Sequence, residues 1–401
     1  MAGFLESILP SAALLAFLLP SCNAAQVQHL PPSRRTFDQI AALAKEAREA
    51  NDLARAIRLY QQAVGLRPRW AEGWWSLGTL EYDRDQYAKA AEDFEKLIAL
   101  QPDNGTAHAM LGLCEFELGK GSPALKNLLE AKRLGVLDDA ELRRVTLYHL
   151  ALLQLRAGRF GDTQESLTLL VQAGVENEEV ILLNGEAALK VRPEQAPQVG
   201  TSGRHVLLRV GKAEMLKVRK KFAGAKQEYL SLVAEYPDYP NLHFAFGRFL
   251  LDAGEPDEGI PQFQKELQAN PRNVNALLAI AAVRYRTDSA DGVKYAEQAV
   301  KINPGLPFAH YLLGLLYLDS GNTTHAISQL EIARRGFANK PEVYFALGNA
   351  YTRAGRKAEA AKARAEFRRL QALEEKEPGP AVYGQQPQRL PQEMEEPQEP
   401  K

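Results

Sequence analysis

Between Phe37 and Gln371 the apolar residues recur three and four positions apart, in runs broken by Gly, Asn, Asp or Pro. That spacing puts them on one stripe of a helix, so it predicts amphipathic helices throughout. A longer period lies over it, at about thirty-four residues. It is plainest at Tyr344, Leu347, Gly348 and Tyr351, followed by Ala360. One period earlier the same frame holds His310, Leu313, Gly314, Tyr317, Ala326, Leu330 and Ala333. Near the front it holds Trp74, Leu77, Gly78, Ala90, Phe94 and Pro102. A unit of this length cannot bury its own apolar face, so copies must stack on one another.

Each copy predicts two helices. The first, A, carries an aromatic residue or Leu, then Leu, then a small residue that lets the second helix cross closely. The second, B, carries Ala, then a large apolar residue four positions on, and proline ends it. On this logic Gly348→Leu should force two helices apart. The frame runs over 37–191 and again over 205–371. In the first block Glu81 stands where an aromatic is expected, and Leu147 to Leu170 is degenerate. Glu178 to Val191 reads as one more helix A, with Gly185 at the small position, and no helix B follows it. Residues 192–204, with Pro193, Pro197, Gly200 and Gly203, read as a loop. Residues 372–401, rich in Glu, Pro and Gln, read as a disordered tail.

The repeated pattern resembles the tetratricopeptide repeat family over about nine copies and one half-copy. The resemblance implies an all-α fold, a right-handed superhelical solenoid of stacked antiparallel helix pairs. It also implies an inner face lined by helix A. Carried onto this sequence, the inward positions include Trp75, Tyr82, Phe116, Tyr148, Phe244, Arg248, Tyr285, Tyr311, Phe345 and Asn349. Aromatic and Arg side chains are the usual material of a protein-binding hot spot, and a peptide laid along a groove is the matching mode. The family's clamp for chaperone tails is not implied, because the comparable positions are Ala41, Lys45 and Thr79.

Composition narrows the rest. The chain has 401 residues and a formal net charge of −1, which argues against a nucleic-acid partner. The seven histidines include no pair at i, i+4, so no metal site is expected, and no cofactor. Gly200-Thr201-Ser202-Gly203 lacks the lysine of a phosphate loop. Asn104-Gly105-Thr106 and Asn322-Thr323-Thr324 match a glycosylation acceptor, and inter-helix turns explain both. Ile8 to Leu19 suits the apolar region of a secretory signal, with cleavage after Ala24 or Ala25, so 1–25 is expected to be a signal peptide and 26–36 a linker. Leu19-Pro20-Ser21-Cys22 also resembles a bacterial lipobox, which would make Cys22 a lipidation site. The expected protein is therefore exported, periplasmic or extracellular, touching a membrane only through that N-terminus. Its expected role is a non-catalytic scaffold for a protein or peptide. The alternative is an accessory or targeting subunit of an envelope enzyme complex.

Overall fold

The computed structural model describes residues 36–136, 139–198, 200–285 and 287–376, and among them there is no strand. The signal segment, Cys22 and most of the tail lie outside the described residues. The chain divides into two units, Met1–Leu150 and Ala151–Lys401, with the division falling inside α7.

The first unit is built from α1 (Phe37–Glu49), α2 (Leu53–Leu66), α3 (Ala71–Tyr82), α4 (Tyr87–Leu100), α5 (Gly105–Glu117), α6 (Gly121–Leu134) and the start of α7 (Ala140–Arg156). The second continues with α8 (Phe160–Gln172), α9 (Glu178–Ala188), α10 (Ser202–Val218), α11 (Phe222–Glu235), α12 (Leu242–Asp252) and α13 (Pro256–Ala269). It ends with α14 (Val274–Arg284), α15 (Ser289–Ile302), α16 (Pro307–Asp319), α17 (Thr323–Gly336), α18 (Pro341–Arg353) and α19 (Lys357–Lys376). Helix α19 runs five residues past Gln371, so the tail begins later than its composition suggests. Likewise α10 begins at Ser202, inside the segment read as a loop.

Short turns make neighbouring helices antiparallel, and each pair buries its apolar stripe against the next. Ile40, Leu43, Tyr60, Leu77 and Leu80 share one core at the front of the first unit. Tyr229, Phe246 and Phe249 stack in the second. Within a pair, the small residue of helix A sits against a large residue sixteen positions later on helix B. A Cβ added at Gly78 would come within 2.9 Å of Phe94, at Gly112 within 2.7 Å of Leu128, and at Gly314 within 2.6 Å of Leu330. Gly348 departs from this. Its partner at the same spacing is Arg364, 3.2 Å away through a flexible stem, so the crossing there is looser than the sequence suggests.

Most A helices end on a left-handed residue two or three positions past the last helical one. Gly119 and Gly254 fill this place, and so do Asn51, Asp85, Lys190 and Lys220, which have side chains. The sequence frame makes α9 and α10 A helices in succession, and each ends on such a residue. With no helix B between them they cross on bare backbone. A Cβ at Gly185 would lie 2.0 Å from Leu207 O, and one at Gly211 1.8 Å from Ile181 O. The two contacts run in opposite senses along the chain, so α9 and α10 are antiparallel.

The inter-pair turns are tied by the first signature position of helix A. The Trp74 indole N–H donates to Pro68 O at 2.8 Å, and the Tyr344 hydroxyl to Ala338 O at 2.9 Å. His108 Nε2 donates to Pro102 O at 3.0 Å and His310 Nε2 to Pro304 O at 2.9 Å. The spacing is six residues every time. Asn104 and Asn322, the two residues of the glycosylation-like triplets, cap α5 and α17 by accepting from the backbone N–H of Ala107 and His325.

Candidate functional site

Close packing of the repeats removes most apolar side chains from water, so what stays at the surface on the A helices is informative. In the first unit Trp75, Tyr82, Phe116 and Tyr148 are all half-buried. Trp75 lies 5.7 Å from the Phe94 ring, and Tyr82 meets Tyr87 edge-on at 5.3 Å. His149 joins Phe116 and Tyr148, at 4.6 Å and 5.3 Å. Carboxylates border Tyr82 and Tyr87. The Tyr87 hydroxyl donates to Asp85 Oδ1 at 2.6 Å. Burial raises the Asp83 carboxyl above the usual range although Arg48 opposes it, and burial, then the Asp85 charge, does the same to Glu117. Burial, reinforced by these acids, also lifts both tyrosines, so they remain neutral donors at any physiological pH.

The residues expected on the inner face of the second unit do not form one site. Phe244 and Tyr311 are 3% and 7% exposed, which leaves a partner little of either to touch. Tyr311 packs in the core of α16 to α19, with half-buried Tyr285 against it. Phe345, by contrast, is 55% exposed, paired with Phe367 at 5.5 Å, and Asn349 is half-buried.

Phe244 and Arg248 come together at a narrow cavity whose other walls are Phe160, Gln164, Ala187, Ala188, Lys190, Glu214, Lys217 and Ala245. It lies where the repeat lacks a helix B. Lys190, in its left-handed turn, holds its ammonium 5.1 Å from the Phe244 ring centre and 6.0 Å from that of Phe160. Lys217 Nζ sits between Glu214 Oε2 at 2.5 Å and Asp252 Oδ2 at 3.1 Å. The Tyr229 hydroxyl donates to Glu214 Oε1 at 2.6 Å. Beside it opens a mainly apolar groove of about 320 Å³ lined by Leu189, Val191, Pro197, Tyr239 and Pro240 among others.

Sequence reasoning did not single out Lys190, Lys217 or Glu214. The available signal was a lysine at a turn position that glycine fills after α5, α12, α16 and α18, immediately before the missing helix. Among the described residues no group of three or more His, Cys, Asp or Glu could hold a metal ion, and no helix is long and apolar enough to cross a membrane.

A profile of the tetratricopeptide repeat matches residues 41–104, 76–135, 216–274 and 311–373, together more than half of the chain. The mitochondrial import receptor subunit TOM70 of Rattus norvegicus is 30% identical over 96 residues, taking in 22% of this chain and 16% of that protein. Among solved structures, a crystal structure of MamA superposes with a TM-score of 0.39 at 21% identity, covering 41% of this chain and 96% of that one. MamA from Desulfovibrio magneticus RS-1 gives 0.38 at 20% identity, covering 42% and 94%.

Proposed function

The chain belongs to the tetratricopeptide repeat family, and from that premise we propose that it is a non-catalytic scaffold that holds a peptide or protein segment against the A-helix faces of its repeats. One observation carries this. Trp75, Tyr82, Phe116 and Tyr148, all at inward A-helix positions of the first unit, remain partly in water and are not sealed in the repeat core. Half-exposed aromatics, with carboxylates beside Tyr82 and Tyr87, supply rigid contact area and directional polar contacts together, as protein hot spots do. TOM70, similar over a short stretch, is by name a receptor subunit, which fits recognition rather than chemistry. Binding energy of this kind is concentrated in a few side chains. Trp75→Ala and Tyr82→Ala are each expected to weaken a captured partner at least ten-fold, about 1.4 kcal/mol, and Phe345→Ala should do so if the last pair takes part. Retention at unchanged affinity by both first-unit variants would defeat the reading.

The proposed setting is outside the cytoplasm, reached through the apolar segment Ile8 to Leu19. Mass spectrometry of the mature N-terminus should begin at Ala25 or Gln26, or at a lipid-bearing Cys22. An intact Met1 on the protein from its native host would contradict export by cleavage.

A further inference from the structure

The charges around Tyr82 and Tyr87 are one-sided. Tyr82 ends α3, Asp83 follows it, and Tyr87 opens α4. Asp85 stands at the left-handed place of the turn between them, and Glu117 ends α5, the next A helix. The three acids are exposed, and the two rings beside them are half-buried. Asp83 and Glu117 bear on Tyr82, Asp85 and Glu117 bear on Tyr87, and no cation opposes them at either ring. Arg48 opposes the charge of Asp83. Asp85 is met by the neutral hydroxyl of Tyr87. Glu117 has neither an ion pair nor a side-chain hydrogen bond among the described residues, and the nearby Asp85 charge repels it. The backbone does not require an acid in this turn, since Gly119 fills the same place one repeat later. Nor do the carboxylates gather closely enough to hold a metal ion, for no group of three or more among the described residues does so.

We propose that this aromatic face takes a lysine or arginine side chain of the bound segment, its charge beside Asp85 and Glu117 and its hydrocarbon stem along the Tyr82 and Tyr87 rings. The proposal rests on the peptide-binding reading and names the partner's chemistry: a basic segment. Charge complementarity carries it. Two carboxylates that repel each other without a counter-ion raise the energy of the free protein. A cation placed beside them removes that repulsion and gains two attractions. The rings add to this, because an aromatic face attracts a cation and a long basic side chain lays its stem on apolar surface. An acidic segment would instead be repelled by Asp85 and Glu117 together.

The test uses the full chain and two blocked ten-residue peptides, one alternating lysine with alanine and one glutamine with alanine. In low salt the lysine peptide should bind at least ten-fold more tightly, and added salt should weaken it. Glu117→Gln and Asp85→Asn should each weaken the lysine peptide at least five-fold. Asparagine suits the left-handed turn and still accepts from Tyr87, so the second variant keeps the fold. Each change removes a repulsion, so neither variant should melt below the wild type. Asp103→Asn, an exposed acid in the turn before α5, removes the same net charge and should change nothing. Equal binding of the two peptides, or a loss with Asp103→Asn as large as with Glu117→Gln, overturns the proposal. A lower melting midpoint for Glu117→Gln does so too, since it would mean that this carboxylate already has a partner. Displacement of the lysine peptide by equimolar calcium overturns the assignment to a side-chain cation. If Glu117→Gln and Asp85→Asn still capture the native partner at unchanged affinity while Trp75→Ala loses it, the scaffold reading stands and this one falls.

Discussion

Gly211→Ala should be the most damaging single methyl that can be added to this protein. The new Cβ would lie 1.8 Å from Ile181 O and 2.8 Å from its carbonyl carbon, with the Ile181 side chain at 3.1 Å. At Gly78, Gly112 and Gly314 an added methyl meets a side chain, which can shift away. Here it meets the backbone of a helix, and a helix moves only as a whole. Separating α9 from α10 strips contacts from Val206, Leu207 and Val210, all fully buried in the core that Tyr229 and Phe246 complete. The cost should be at least about 3 kcal/mol, at the upper end of overpacking effects. In thermal unfolding followed by circular dichroism that corresponds to a fall of roughly 6–12 °C for a unit of this size.

Gly185→Ala should cost nearly as much, since its methyl would lie 2.0 Å from Leu207 O. The double variant should cost clearly less than the two added, because one separation of the helices relieves both clashes. Gly65→Ala is the control. It is exposed, nothing lies within 4 Å of its added Cβ, and the change should be neutral or stabilising by up to about 1 kcal/mol. Additive losses at Gly185 and Gly211, or a Gly211→Ala melt that matches Gly65→Ala, would contradict the backbone crossing.

The helix pairs were legible in the sequence because their chemistry is periodic. Gly78 with Phe94, Gly112 with Leu128 and Gly314 with Leu330 share one sixteen-residue spacing, and an apolar residue at each end reads as a contact. Gly348 was legible as a signature position and misleading as a tight crossing, because the residue opposite it is Arg364. The α9–α10 crossing was not legible: its contacts are between backbones and out of phase with the repeat, so no side-chain pattern marks them. Polar links were hidden for a similar reason. Ser166 donates to Gln154 and Asn127 to Glu115, each across twelve residues, yet a lone Gln or Glu among apolar neighbours reads as a defect in the pattern. At the groove positions, sequence could name the slot and not the exposure. Phe244 and Phe345 occupy equivalent places, yet one is nearly sealed and the other open, and that depends on what the next pair contributes.

The first unit should lose stability steadily as pH rises from about 4 to 8, and Asp93→Asn should abolish much of that slope. Glu81, read from sequence as a departure from the pattern, belongs to the same twelve-residue link, but its partner on α4 is another acid. Glu81 is 3% and Asp93 8% exposed, and Glu81 Oε2 and Asp93 Oδ2 find no donor elsewhere among the described residues. The pair can lie together in the dark only by sharing a proton. Burial, then the charge and hydrogen bond of Glu81, pushes the Asp93 carboxyl up to about 8, and burial raises Glu81 in the same direction. In the unfolded chain Asp93 would titrate near 3.9. Between those values the folded state holds a proton that the unfolded state has released. Stability contributed by the protonated pair is therefore complete below about pH 4 and is lost as pH climbs toward 8, by about 1.4 kcal/mol per pH unit. An asparagine at position 93 carries its own donor for Glu81 and has nothing to ionise. All three tryptophans, Trp70, Trp74 and Trp75, lie in this unit, so urea unfolding followed by tryptophan fluorescence reports on it alone. The wild-type midpoint should fall between pH 5 and pH 8, the Asp93→Asn midpoint should fall much less, and at pH 8 the variant should be the more stable of the two. A wild-type midpoint that rises across this range, or a variant that is less stable at pH 8, would mean that the two carboxyls are paired some other way.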